Sequence, residues 1–409
     1  MIKKKIFFDT IVIVFFSNLA NLISMVVQII LGKKLSYYDF SIYYSLIALI
    51  SFLIMPASTI GIFLQSKFSR IINQNGNISV LFLHSTKKIF YYFLIIFLIF
   101  LIFYKTLKIN FDHENFYTFF NFFIVLVLLI YMNWPLSLNL AFKNYKINSI
   151  LYFLASILKL ILIILFFYIF DYSNLLSAIN INLFFTLLLT LLYFLPNLKR
   201  IQIKKIIKKN DKILSGDLKF YVFHSLMLPI MFSTDIILAK VYFSSEASAK
   251  YIVASSLSKI IYFITAGLYS MFFNESLNSS KKNTAHIIII ILITSSFTTF
   301  SLIYFGKNII EIIYGKKFDG SYEYLSFLCM SVYIVCLSKI MCDILISKEK
   351  YGFIKLQFAS YVLLAYLIIF QFEELADLPK YMLYSSSCLF VLIFLNFIKN
   401  FKYFTKKFL

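Results

Sequence analysis

The sequence predicts an all-α integral membrane protein of about twelve transmembrane helices, in two six-helix lobes related by a pseudo-two-fold axis along the membrane normal. Three observations carry this. Of the 409 residues, 61% are hydrophobic and 14% charged, against the roughly 45 to 50% apolar and about 25% charged of a soluble domain. The apolar residues run in unbroken blocks of about twenty, the length that crosses a hydrocarbon core. The longest polar interruption falls at the centre of the chain and leaves six blocks on either side.

The spans are placed at 7–31, 41–64, 89–104, 116–140, 150–170, 175–195, 220–242, 247–272, 286–304, 322–346, 352–372 and 379–398. The third is the shortest and the tenth the most polar, so the count is eleven or twelve. The apolar run after Met1 is too long for a cleaved leader and ends without a small-residue cleavage site, so it is read as a retained first span. The division expected is a lobe at 1–198, a basic cytoplasmic linker at 199–219 and a second lobe at 220–409.

The net charge of +21 is distributed as topology, with no nucleic-acid partner implied. Of the 39 Lys and Arg, 26 lie on one side of the predicted spans, 10 on the other, and Lys159, Lys259 and Lys339 inside them. The positive-inside rule places both termini in the cytoplasm. The linker is either a plain orientation signal or an amphipathic helix lying on anionic lipid.

An internal repeat supports the two lobes. ILGKKLSYYDFSIYYSL from Ile30 aligns without gaps on ILAKVYFSSEASAKYIV from Ile237, pairing Lys33 with Lys240, Asp39 with Glu246, Ser41 with Ser248 and Tyr44 with Tyr251. In both copies one span ends, the chain turns, and the next span begins. Each lobe has an even number of spans, so both face the same way, with a site expected between them.

Candidate site residues are the polar groups at membrane depth. Lys159 and Lys259 fall near mid-membrane, where a charge costs about 2.5 to 3.5 kcal/mol and by default faces protein or water. Each is either a cavity cation or half of a structural pair. Asn18 and Asn21 share a face of the first span, nearly in line with Gln28, as a polar path or as interhelical hydrogen-bonding groups. Asp235 occupies the repeat position of Gln28, and Pro229 nearby is positioned to break its helix, so Asp235 is either a coupling or gating candidate or an acid near the outer interface. Lys339 and Asp343 are four apart on one helical face, either neutralising one another or serving as a gate. Pro56 and Pro135 are candidate kinks, and Trp134 is read as packing. Neither metal site nor cofactor is expected: Cys329, Cys336, Cys342 and Cys388 show neither a disulfide framework nor ligand spacing.

Two stretches, Leu31 to Phe52 (LGKKLSYYDFSIYYSLIALISF) and Asp235 to Ile260 (DIILAKVYFSSEASAKYIVASSLSKI), together with the six-plus-six plan and basic central loop, resemble the polysaccharide-export flippases of the Wzx type. These lie within the multidrug, oligosaccharidyl-lipid and polysaccharide exporter superfamily. The resemblance implies two lobes around a cavity opening alternately to each side of the bacterial cytoplasmic (inner) membrane. The implied cargo is a polyprenyl-diphosphate-linked glycan for O-antigen, capsule or a related polymer. Implied partners are membrane lipids and polysaccharide polymerases.

Two other classes remain in view. A cation-coupled multidrug or metabolite antiporter of the same superfamily shares the plan but needs acids in its cavity, whereas the mid-membrane charge here is lysine. A polytopic polymerase or ligase needs a sizeable external surface, and the largest external segment, 305–321, is short. His84, His113, His224 and His286 show no catalytic or metal-binding spacing, so no enzyme is expected.

Overall fold

The computed structural model describes residues 2–53, 145–168, 175–198, 218–277 and 281–406, with isolated helical positions at 91, 98, 124, 125, 127–129, 132 and 136. Pro56, Trp134, Pro135, His84, His113, the third span and most of the basic linker lie outside the described residues. Among the described residues there is no strand.

The helices are α1 (Ile2–Lys34), α2 (Tyr37–Leu53), α3 (Tyr145–Tyr168), α4 (Leu175–Leu198), α5 (Leu218–Ser225), α6 (Met227–Tyr242), α7 (Ser245–Ser258), α8 (Ile260–Phe263), α9 (Ala266–Leu277), α10 (Lys281–Tyr314), α11 (Tyr322–Ser347), α12 (Ile354–Gln371) and α13 (Asp377–Lys406). Six described helices are long and apolar enough to span a membrane, seven if the bent pair Ser245–Phe263 and Ala266–Phe273 counts as one.

The chain forms two compact units. One comprises Met1–Ile30 and Ile50–Ser225; the other comprises Leu31–Leu49 and Leu226–Leu409. In the first unit α3 packs on α4, and Phe16 of α1 meets Phe153 of α3 with ring centroids 5.3 Å apart. The second unit is built around α11, which touches α7, α10 and α13. Its apolar stretch is 61% buried, against 22 to 33% for the other five long helices.

Packing follows the rules of a lipid solvent. Large apolar side chains face outward, among them Phe297, Phe300 and Tyr304 of α10 and Ile369 and Phe370 of α12. Small polar groups join helices inside: Ser331 donates to the Met382 carbonyl at 3.1 Å and Ser385 to the Ser360 carbonyl at 2.9 Å. Serine and alanine on α7 leave every residue from 251 to 259 buried, because small side chains let neighbouring backbones approach.

Two predicted spans are broken. The span expected at 220–242 divides at Leu226 into α5 and α6. Pro229 then sits in the first turn of α6, where a missing N–H leaves nothing unpaired, and its ring disfavours continuing the preceding helix. The span expected at 247–272 divides into α7, α8 and α9, the bent pair turning through 44°. Conversely, α10 runs ten residues beyond the predicted end at 304 and stops at Gly315, whose φ of 76° suits glycine. The expected external segment 305–321 therefore shrinks to the short turn after Tyr314.

Both copies of the repeat fold into the same helix–turn–helix corner. In the first, Ser36 Oγ accepts from the Asp39 N–H at 3.0 Å and donates to its carboxylate at 2.6 Å, a reciprocal cap starting α2. In the second, Ser244 Oγ accepts from the Ala247 N–H at 3.3 Å and starts α7. Ser41 and Ser248 are both buried, as are Tyr44 and Tyr251.

Candidate functional site

The second unit buries two ion pairs. Asp235 on α6 is 1% exposed and Lys259 at the end of α7 is 8% exposed, and Lys259 Nζ lies 3.9 Å from Asp235 Oδ1. The other carboxylate oxygen, Oδ2, accepts from Ser255 Oγ at 2.6 Å and from Tyr251 Oη at 3.3 Å. Tyr251, Ser255 and Lys259 are spaced four apart, so one face of α7 presents all three to Asp235. Oδ1 accepts no hydrogen bond. The Tyr251 ring is backed by Tyr324 of α11 at 5.5 Å.

Lys259 is the residue at which α7 ends. Its carbonyl accepts from Tyr262 and Phe263, both at 3.0 Å, and so holds the short helix α8. The Thr265 carbonyl then accepts from Leu268 and Tyr269 at the start of α9. The pair therefore lies at a break in a span, where irregular backbone is tolerated inside a membrane protein only when protein or water satisfies it.

The second pair is local to α11. Lys339 Nζ lies 2.8 Å from Asp343 Oδ2 and 3.0 Å from Oδ1, with the Tyr269 ring face 5.5 Å from the ammonium. Aromatic rings connect the two pairs: Phe232, one turn before Asp235, meets Tyr262 at 5.3 Å, and Tyr262 stacks on Tyr269 at 5.4 Å. Gln357 of α12 closes the far side, its amide nitrogen 3.4 Å from Cys342 Sγ. All four cysteines are free thiols.

The expected site residues thus divide by unit. Asp235 meets Lys259, and Lys339 meets Asp343, in the second unit. Asn18, Asn21, Gln28 and Lys159 are in the first, all half-buried; Asn18 Oδ1 is buried without a hydrogen bond. Among the described residues no carboxylate pairs with Lys159. Lys259, read from the sequence as either a cavity cation or half of a structural pair, is therefore matched by Asp235, and Lys339 by the Asp343 that the spacing offered. Tyr251, Ser255, Tyr262 and Tyr269 were not singled out from sequence; the i, i+4, i+8 stripe of Tyr251, Ser255 and Lys259 was the available signal.

A buried ion pair at a helix break and a second within one helix, in a chain of long lipid-facing helices, define a polytopic all-α membrane protein. The fold is that of the MATE transporters. An outward-facing multidrug resistance transporter of the MATE family and MOP superfamily superposes with a TM-score of 0.70 at 14% identity, covering 99% of this chain and 97% of that one. The Vibrio cholerae MATE transporter VcmN in its bent form gives 0.65 at 14% identity, covering 97% and 96%. A MATE transporter in the bent conformation gives 0.64 at 13%, covering 99% and 96%. No protein-family model matches the sequence, and no curated protein matches it.

Proposed function

We propose that the chain is a secondary transporter working by alternating access, exporting amphiphilic cargo in exchange for a coupling cation, as a multidrug or metabolite antiporter does. The observation that carries this reading is the Asp235 carboxylate. It is buried, held by two hydroxyl groups, and faces Lys259 across a gap longer than a hydrogen bond. A cation arriving there competes with Lys259 for the carboxylate, and Lys259 ends one helix and starts the next. Occupancy of the carboxylate is thereby linked to a break that has more than one arrangement, the element a coupled transporter needs. Fold likeness to MATE transporters supports the same class. The paired state of Lys259 and Lys339 removes the net positive charge that favoured an anionic cargo in this unit.

A second reading, a flippase for polyprenyl-diphosphate-linked glycans, is favoured by Lys159 and by the Wzx-type resemblance. Lys159 is half-buried in α3 without a described carboxylate partner, and a lysine there offers a point charge to a diphosphate. Under either reading the protein sits in the bacterial cytoplasmic membrane with both termini inside; the flippase reading adds membrane lipids and polymerase partners.

Deletion of the gene in its host separates the two. The antiporter reading expects intact surface polysaccharide and increased sensitivity to cationic compounds such as ethidium, restored by the wild-type gene and by Lys159→Met. Loss of polymer with lipid-linked glycan accumulating on the cytoplasmic side, restored by wild type but not by Lys159→Met, would replace it with the flippase.

A further inference from the structure

A carboxylate that couples transport has to select its cation, and the two oxygens of Asp235 differ in what they offer one. Oδ2 is engaged: Ser255 Oγ donates to it at 2.6 Å and Tyr251 Oη at 3.3 Å. Oδ1 is buried and accepts no hydrogen bond. The charge it faces is the Lys259 ammonium at 3.9 Å, beyond the reach of a hydrogen bond. Among the described residues no other cation forms an ion pair with Asp235. Helices α11 and α13 also pack on α6, but Lys339 pairs with Asp343 and Lys380 with Asp377. Glu323 of α11 is exposed, and Tyr324 reaches the site only as the ring behind Tyr251.

A metal cation and a proton make different demands on such a site. A hard metal ion the size of sodium is held by about six oxygens at about 2.4 Å. The side chains here offer four, the carboxylate pair and the Ser255 and Tyr251 hydroxyls. An ion on Oδ1 would also stand within about 6 Å of the ammonium, where two unit charges at an effective dielectric of about 20 repel enough to weaken binding on the order of a hundred-fold. A proton has neither requirement. It adds to a lone pair of Oδ1 as an O–H bond, needs no coordination shell and leaves both hydroxyl bonds on Oδ2 in place. The carboxylate is then neutral, and the ammonium beside the α7–α8 break has lost its counter-charge; departure of the proton restores the pair.

We propose that Lys259 sets the ion selectivity of this site: its tethered ammonium stands where a metal cation would, so Asp235 exchanges protons and excludes sodium. This deepens the antiporter reading and rests on it.

The test measures thermal unfolding of the full-length protein in detergent, in sodium chloride and in choline chloride at equal ionic strength. Wild type is expected to unfold at the same temperature in both; a sodium-dependent rise would overturn the inference. Lys259→Gln, which puts an amide oxygen where the ammonium stood, and the shorter Lys259→Ser are expected to gain about 2 °C or more from sodium, the shift of a ligand at about ten times its Kd. Adding Asp235→Asn should abolish that gain, and its persistence would place the sodium elsewhere and overturn the assignment. So would the absence of any gain in both variants, including recovery of folded protein no better from sodium than from choline. The second arm follows ethidium export by wild-type proteoliposomes, expected to run on an imposed pH gradient and to ignore a sodium gradient; sodium-driven export would overturn the inference. Export driven by neither gradient would remove the antiporter reading, while the unfolding arm still decides whether Lys259 keeps sodium out.

Discussion

Asp235→Ala, with Lys259 retained, will destabilise the second unit by about 3 to 5 kcal/mol, because it leaves an ammonium buried beside a hole. Lys259 is only 8% exposed and is fixed at the junction of α7 and α8, so it has no short route to water. The Ser255 and Tyr251 hydroxyls lose their acceptor together with it. Removing both charges, as Asp235→Asn with Lys259→Met, is expected to restore most of that stability, since a neutral pair of similar volume carries no buried-charge penalty. Export will remain absent in the double variant. Thermal unfolding of the purified protein in detergent, read alongside transport, checks both halves: a double variant as unstable as Asp235→Ala contradicts the assigned pairing, and one that transports at the wild-type rate contradicts the coupling role.

The second large effect separates the two ion pairs. Exchanging the charges as Lys339→Asp with Asp343→Lys keeps an i, i+4 pair on one face of α11 and keeps Tyr269 beside it. A pair whose work is neutralisation tolerates exchange, so near-wild-type stability and transport are expected. Either single change, which leaves one buried charge unmatched, should cost about 3 to 5 kcal/mol. Exchange at Asp235 and Lys259 should preserve stability too, yet abolish transport, because the carboxylate would then sit at the helix break and the ammonium among the hydroxyls. Equal transport by both exchanged proteins would mean that neither pair couples.

What was legible in the sequence depended on how local the physics is. The helices that became α11 and α12 follow the predicted spans closely, because an apolar run flanked by charged turns specifies both ends, whereas α13 starts near its predicted span and runs eight residues past the predicted end at 398. The Lys339 and Asp343 pair was visible because four residues is one helical turn. Asp235 and Lys259 were each conspicuous as charges at membrane depth, but their pairing crosses two helices and 24 positions, and no spacing rule reports it. Of the breaks, only the one at Pro229 was singled out in the sequence; at the bend between α7 and α9 the buried Thr265 donates its Oγ1 back to the Tyr262 carbonyl at 3.0 Å, a local bond of the kind that bends helices. The hydrogen bonds from Lys317 Nζ to the Leu35 and Gly32 carbonyls had no sequence signal, since those partners lie 282 and 285 positions away. Lys317 was counted only as one more external charge.

The most direct test of the central claim, that Asp235 couples cation entry to export, is ethidium movement in proteoliposomes under an imposed cation gradient, with wild type and Asp235→Asn compared side by side. The account predicts gradient-driven accumulation by wild type and, by Asp235→Asn, only slow exchange that ignores the gradient. Gradient-driven accumulation by Asp235→Asn at the wild-type rate would contradict it.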